Sequence, residues 1–329
     1  MNFHHHSSIV SNVGVSSTWS LLSSKVSEKE CLTCVNGILF SLGSNVEFSK
    51  DGIDWSVCGL VVNDNWGRLK FERIIFFKGQ WYVFSTYLKD ITLQKSGWIF
   101  DSEEQKLFSA VVVFSSSDLN IWVATDLSEK FEGHDFGGVC STSDLMMLSF
   151  TDCQDNAPML TVSRDVLSWS SVNIEYPMES VEGIFSYREK LFVIDDNKDL
   201  FCSVDGDRWK RFVSDNDCVS LLSGDMSYID QDSGCCVVCC DGRLYVTRDI
   251  VEWIAVDEPF PLFHGKETRQ RVCAFAGVIF PSVKPQCRKL QLMIVDQSVV
   301  LIQDKTIAVL NLSSVTMKPS ELSFEKILV

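Results

Sequence analysis

The stretch Ser163-Arg164-Asp165-Val166-Leu167-Ser168-Trp169 decides the fold, because its pattern returns four more times along the chain. The other copies are Ser49-Lys50-Asp51-Gly52-Ile53-Asp54-Trp55, Ser116-Ser117-Asp118-Leu119-Asn120-Ile121-Trp122, Ser203-Val204-Asp205-Gly206-Asp207-Arg208-Trp209 and Thr247-Arg248-Asp249-Ile250-Val251-Glu252-Trp253. Each sets Ser or Thr two residues before Asp and Trp four residues after it. The Trp positions advance by 67, 47, 40 and 44 residues. With an insertion of about 20 residues removed from the first interval, the period is about 44, which marks a repeat architecture.

An apolar, β-rich run precedes every copy (NVEF, AVVVF, MLTV, DLFC, RLYV) and another follows it (WSVCGLVV, WVATDL, WSSVNI, WKRFV, WIAV). The unit is therefore strand, tight turn, strand. The Ser/Thr and Asp side chains can accept hydrogen bonds from turn amides two or three residues on. Gly52 and Gly206 offer a positive φ to the turn. The Trp then opens the outgoing strand, where its ring can bury apolar area between neighbouring units.

Two more runs precede each hairpin, for example VEGIFSYRE and KLFVIDDN before the fourth and RIIFFKG and QWYVFSTYL before the second. Four strands in about 44 residues is the signature of a β-propeller blade. Complete blades are expected over 30–60, 71–127, 136–174, 181–213 and 218–256, with a sixth, lacking the motif, over 271–312. Its leading run is VCAFAGVIF. Strands at 7–22 and 320–329 would close a further blade shared between the two ends, which satisfies otherwise open sheet edges. The expected fold is thus all-β, a single propeller over 1–329 with seven four-stranded blades; six, with the ends outside, is the alternative. Residues 89–106 read as a hairpin extension projecting from the second full blade, the kind of loop that carries recognition.

Composition narrows function by exclusion. Against 29 Lys+Arg stand 44 Asp+Glu, a formal charge of −15, which argues against nucleic acid, since phosphate binding needs a cationic footprint. No apolar run approaches the roughly 18 residues of a membrane-spanning helix. The start, MNFHHHSSIVSNVGV, has no basic region followed by an apolar one, so no secretory signal is expected. The 13 cysteines, several inside strand-like runs such as GCCVVCC, behave as small hydrophobes and suit a reducing cytosol. Cys31 with Cys34 and Cys236 with Cys239 have zinc-ribbon spacing. On a strand, however, residues three apart face opposite ways, so buried structural thiols are expected.

The five hairpins resemble the Asp-box (BNR) repeat of sialidase-like propellers and of bacteriophage tail and other virion propeller proteins. The departures are that Trp follows Asp by four positions where the usual box has five, and that only Asp51-Gly52 and Asp205-Gly206 keep a glycine. The resemblance implies the propeller fold. It implies a structural role for Ser49, Asp51, Trp55, Ser116, Asp118, Trp122, Ser163, Asp165, Trp169, Ser203, Asp205, Trp209, Thr247, Asp249 and Trp253. A sialidase would also need an arginine triad, a Tyr-Glu pair and an acid/base Asp. No Arg-Ile-Pro stands near a first blade, and the pairs Asp195-Asp196 and Glu103-Glu104 read as solvated loop charges. None of the nucleotide, hydrolase-elbow or zincin motifs occurs. Cys140 and His134 as a thiol and its base read as a chance pairing.

No catalytic, metal or cofactor residue is expected, and the chain reads as non-enzymatic. The expected function is a structural, protein-binding propeller in a viral particle, such as a bacteriophage tail or head-to-tail accessory protein, folded in the cytosol and incorporated in a virion. The alternative is a glycan-binding receptor-recognition module with Trp66, Trp81 and Trp98 as candidate sugar platforms, rings that read first as packed between blades or within the insertion, and, behind it, a sialidase-like glycosidase.

Overall fold

The computed structural model describes residues 31–95, 102–175 and 178–212, and further on Ile250 and the strands between 226 and 311 given below. The first sheet is β1 (Leu32–Val35), β2 (Ile38–Leu42), β3 (Val46–Ser49) and β4 (Ser56–Val57). The second is β5 (Lys70–Phe77), β6 (Gln80–Lys95), β7 (Ser102–Ser116) and β8 (Val123–Asp126). The third is β9 (His134–Ser141), β10 (Met146–Asp152), β11 (Pro158–Ser163) and β12 (Trp169–Ser171). The fourth is β13 (Val181–Tyr187), β14 (Lys190–Asp195), β15 (Leu200–Ser203) and β16 (Lys210–Phe212). The fifth is β17 (Met226–Asp230), β18 (Cys235–Cys240), β19 (Arg243–Thr247) and β20 (Ile254–Val256). The sixth has three described strands, β21 (Leu290–Val295), β22 (Ser298–Gln303) and β23 (Thr306–Asn311). Among the described residues the one helical element is a 3-10 turn at Asp64–Trp66, and no helix is long and apolar enough to cross a membrane.

Spatial order follows sequence order in every sheet, from the antiparallel pair Leu32↔Ser41 to Gln303↔Thr306. This is the four-stranded meander read from the repeat. The expected leading run of the sixth blade, 272–280, and the closing strands at 7–22 and 320–329 lie outside the described residues.

The chain divides into two compact units, one of residues 42–47 and 57–212 and one of 1–41, 48–56 and 213–329. In the first, the leading strands β5, β9 and β13 of three successive sheets are neighbours; in the other, β21 neighbours both β1 and β17. Two buried clusters hold the first unit together. One joins the second sheet to the third through Ile75, Phe77, Phe84, Val113, Leu148 and Phe150. The other joins the third to the fourth through Leu145, Met147, Leu160, Leu191, Val193 and Phe201. Period-2 alternation alone exposes one face of each strand, and stacking the sheets face to face buries it. A fully buried side chain such as Phe84 or Phe150 contributes about 1.5–3 kcal/mol relative to exposure.

The second sheet departs from the repeat. Its β6 and β7 pair from Trp81↔Ser116 out to Lys95↔Ser102, whereas β5 accompanies β6 only to Thr86 and β8 accompanies β7 only from Val112. The two middle strands therefore run on past their own sheet as a two-stranded arm, which occupies the stretch read as a hairpin extension.

Candidate functional site

Antiparallel order gives each sheet two ends. Turns between first and second and between third and fourth strands share one end. The start of the first strand, the turn between second and third and the end of the fourth share the other. All the repeated motifs lie in third-to-fourth turns, so their residues cluster at the first of these ends.

There the motif closes on itself in the same way each time. The Ser Oγ accepts the amide three residues on, from Gly52 at 2.8 Å, Leu119 at 2.9 Å, Val166 at 2.8 Å and Gly206 at 2.9 Å. Thr247 Oγ1 does the same for Ile250 at 3.0 Å. One Asp oxygen accepts two further amides: Ile53 and Asp54 on Asp51, Asn120 and Ile121 on Asp118, Leu167 and Ser168 on Asp165, Asp207 and Arg208 on Asp205. These amides hold all four carboxyls below the ordinary range, Asp165 at about 2. Asp249 and Trp253 lie outside the described residues.

Two features of this turn were not legible in the pattern. The indole Nε1 donates to the carbonyl three residues back, Trp55 to Gly52 at 3.1 Å, and Trp122 to Leu119, Trp169 to Val166 and Trp209 to Gly206 each at 3.0 Å. The residue after the Asp has positive φ in all five copies, not only at Gly52 (73°) and Gly206 (80°) but at Leu119 (66°), Val166 (67°) and Ile250 (68°). A β-branched residue there is strained by about 1–2 kcal/mol. Burial offsets it: Val166 sits in the cluster between the second and third sheets, with Trp169 packed against the same cluster. Trp209 packs likewise on the cluster between the third and fourth. The Lys78 ammonium adds a bond to the Arg164 carbonyl at 2.8 Å.

The opposite end is differently built. The ladder registers of β5, β9 and β13 each slip once near the strand start, leaving Glu72, Gly137 and Glu182 as the extra residues of three β-bulges. Bulges of this kind re-aim side chains at sheet ends. Glu72 accepts the Thr86 hydroxyl at 2.9 Å and pairs with Lys70 at 3.0 Å, and Glu182 pairs with Lys198. On the third sheet, His134 Nδ1 meets the Glu132 carbonyl at 2.8 Å and Nε2 faces Asp152 at 3.4 Å. Asp135 accepts the Ser109 amide of the arm at 2.7 Å and the Cys153 thiol at 3.6 Å, while Lys106 of the arm bonds the Cys153 carbonyl. Among the described residues no three His, Cys, Asp or Glu side chains are placed to hold a metal ion.

Chemistry at this end is muted. Burial, with Asp135 beside it, pushes the Cys153 thiol up to about 11. Burial pushes Cys140 up to about 12. Cys140 and His134 stand near opposite ends of β9, so strand geometry holds thiol and imidazole about 20 Å apart. Arg73 is the one arginine on the described leading strands. Asp195, read as a solvated loop charge, is instead buried at 2% exposure and accepts the Asp199 amide at 2.6 Å. Burial, with Asp199 and Asp196 nearby, raises its carboxyl. Glu103 and Glu104 lie on β7. Cys31 and Cys34, expected as buried thiols, are half-buried, and Cys236 and Cys239 stand three apart on β18.

The three tryptophans read as sugar platforms separate. Trp81 is 5% exposed and lies 4.7 Å from the Phe76 ring, so burial removes it as a platform. Trp98 lies outside the described residues. Trp66 is half-buried and fixed edge-on to Phe114, with its Nε1 donating to Asp126 at 2.8 Å. The Tyr87 hydroxyl and Ser128 amide also bond Asp126. Burial pushes that carboxyl up, but these donors outweigh it and leave it below the ordinary value.

No protein-family model and no curated protein matches the sequence. Among solved structures, the chain is similar to a Hadza microbial sialidase, at 12% identity and TM-score 0.50 over 86% of this chain and 65% of that one. It is also similar to Trypanosoma rangeli sialidase, at 11% identity, TM-score 0.44, and 84% and 52% coverage. A third is apo AztD from Citrobacter koseri, at 12% identity, TM-score 0.43, and 86% and 83% coverage. The chain thus spans less than two thirds of the length of either sialidase. At such identity the likeness speaks to fold alone: the four-stranded sheets are those of a sialidase-like β-propeller.

Proposed function

We propose that the chain is a non-enzymatic β-propeller that binds other proteins and presents the β6–β7 arm to them. The observation that carries this reading is the arm itself, which outruns its sheet yet is tied down at its root. Lys89 bonds Ser128, Lys106 bonds the Cys153 carbonyl and Ser109 bonds Asp135. A two-stranded ribbon adds little to the stability of its own sheet, so its length and its anchoring speak for recognition. The committed box carboxylates and the raised thiols support a non-enzymatic role.

Within this class the reading is a component of a viral particle, such as a bacteriophage tail or head-to-tail accessory protein, folded in a reducing cytosol. The Asp-box resemblance and the 13 cysteines, several of them inside strands, support it. On blade number, the placement of β21 beside both β1 and β17 supports six blades over the expected seven. Tagging the chain at its own locus and purifying it under native conditions tests the interaction role. Stoichiometric protein partners are expected, and recovery of the chain alone overturns the role.

A second reading, glycan binding, is favoured by the half-buried Trp66 ring held by Asp126. Binders on a glycan array that are lost in Trp66→Ala would establish it. Turnover of a sialoside between about pH 4 and 8 would replace both readings with a glycosidase.

A further inference from the structure

We infer that the arm takes its partner by strand addition along the free edge of β6, and that the partner is an extended segment pairing an aliphatic with a basic residue two positions on. This rests on the interaction role proposed above and names its surface and chemistry.

Register fixes which backbone groups of the arm face outward. Ser109 lies opposite Leu88, and its amide points away from β6, because it donates to Asp135 at 2.7 Å. The Val111 carbonyl, two residues on, likewise points away, accepting the Leu127 amide at 2.9 Å. In an antiparallel pair, opposed residues that turn their amides away from each other alternate with those that exchange bonds. Leu88↔Ser109 is therefore an outward pair, and on β6 the backbone groups of Leu88, Asp90 and Thr92 face the free edge. Thr86, of the same parity, is the last residue of β6 to meet β5. The edge that β5 uses up to Thr86 thus continues through Thr92 with no strand beside it among the described residues. Such an edge is a template for another strand.

The side chains say what strand fits. Lys89 and Lys106 are turned inward, onto Ser128 and the Cys153 carbonyl, on the face that also buries Tyr87 and Phe108 at 7% and 0% exposure. The outer face carries Leu88 and Leu107, 68% and 54% exposed, as diagonal neighbours, with Asp90 directly opposite Leu107. The arm has therefore turned two cations inward and kept an acid between two aliphatics outside. A strand laid along this edge meets an aliphatic surface at Leu88 and a carboxylate at Asp90, two residues apart on one face. A second copy of this chain is disfavoured by its formal charge of −15, which repels itself.

The test uses the full chain and a labelled peptide, acetyl-Thr-Ile-Thr-Lys-Thr-Ile-Thr-Lys-Thr-amide, with Glu in place of Lys as the control, followed by fluorescence anisotropy. The lysine peptide is expected to bind, about fivefold more tightly than the control, and Asp90→Lys to reverse that order. Leu88→Pro removes an outward amide and no ladder bond, so it should abolish binding while leaving the melting temperature near that of the wild type. If Leu88→Pro fails to fold, Asp90→Lys alone decides. Failure of the lysine peptide to bind the wild type, or equal binding to wild type and Asp90→Lys, overturns the inference. Partners recovered in native purification alongside such a failure would overturn the edge and leave the interaction role standing; a chain recovered alone would overturn the role itself.

Discussion

The Trp169 indole Nε1 donates to the Val166 carbonyl at 3.0 Å, so the residue forced to positive φ is fastened by the ring three positions on. The carbonyl that a left-handed residue swings out of the ladder has an indole waiting for it. The same bond recurs from Trp122 to Leu119 and from Trp209 to Gly206. That recurrence explains why Trp, and not another large ring, ends the motif.

Replacing Val166 by Gly relieves backbone strain of about 1–2 kcal/mol but loses burial of about 1.5–3 kcal/mol. The net expectation is a destabilisation of about 1 kcal/mol, measured by urea unfolding. Gly206→Val runs the other way: its Cβ would lie 3.3 Å from Val162 at a φ of 80°. Strain and crowding there should destabilise by about 1–3 kcal/mol.

Trp169→Phe keeps an aromatic ring against the cluster and removes the N–H. The expected loss is about 1 kcal/mol, one hydrogen bond, against about 3 kcal/mol for Trp169→Ala. A Trp169→Phe variant as stable as the wild type would show that packing alone accounts for the residue.

Because Asp165 is held at about 2 in the fold and titrates near 3.9 unfolded, its contribution to stability is present above about pH 4 and falls away as pH drops towards about 2. Asp165→Asn should therefore lower the melting temperature at neutral pH, with the gap from wild type closing on acidification. A gap independent of pH would contradict the carboxylate's role in the turn.

Asp195 has the opposite sign. Burial raises its carboxyl, so the ionised form is disfavoured in the fold, and its relative stabilisation holds at low pH and is lost as pH rises through the folded value. Asp195→Asn should raise the melting temperature at pH 7 and leave it unchanged near pH 3. A lower melting temperature at pH 7 would mean that the bond to the Asp199 amide needs a charged acceptor.

Much of the fold was legible because turn chemistry is local. Ser, Asp and Trp positions reveal a hairpin wherever it lies, and their period reveals the sheets. The positive φ at Leu119 and Val166 was not legible, since nothing in an apolar residue announces a left-handed backbone that tertiary burial permits. Asp195 was misread as solvated because its burial comes from the fold around the end of β14, not from its polar neighbours in sequence. Between platform and packing, the sequence left Trp81 open, and it is the Phe76 ring in the adjacent strand that covers it. The arm was visible as extra length, but its inward lysines and outward Leu88 and Asp90 depend on strand parity, which Ser109 and Asp135 fix only in three dimensions.

Gradient sedimentation of the native lysate, with mass spectrometry of whatever travels with the chain, tests the account most directly. An interaction propeller of a viral particle should migrate with a megadalton assembly, its neighbours identified in the same fractions. A peak near its own mass of 37.1 kDa, free of other proteins, would contradict the account.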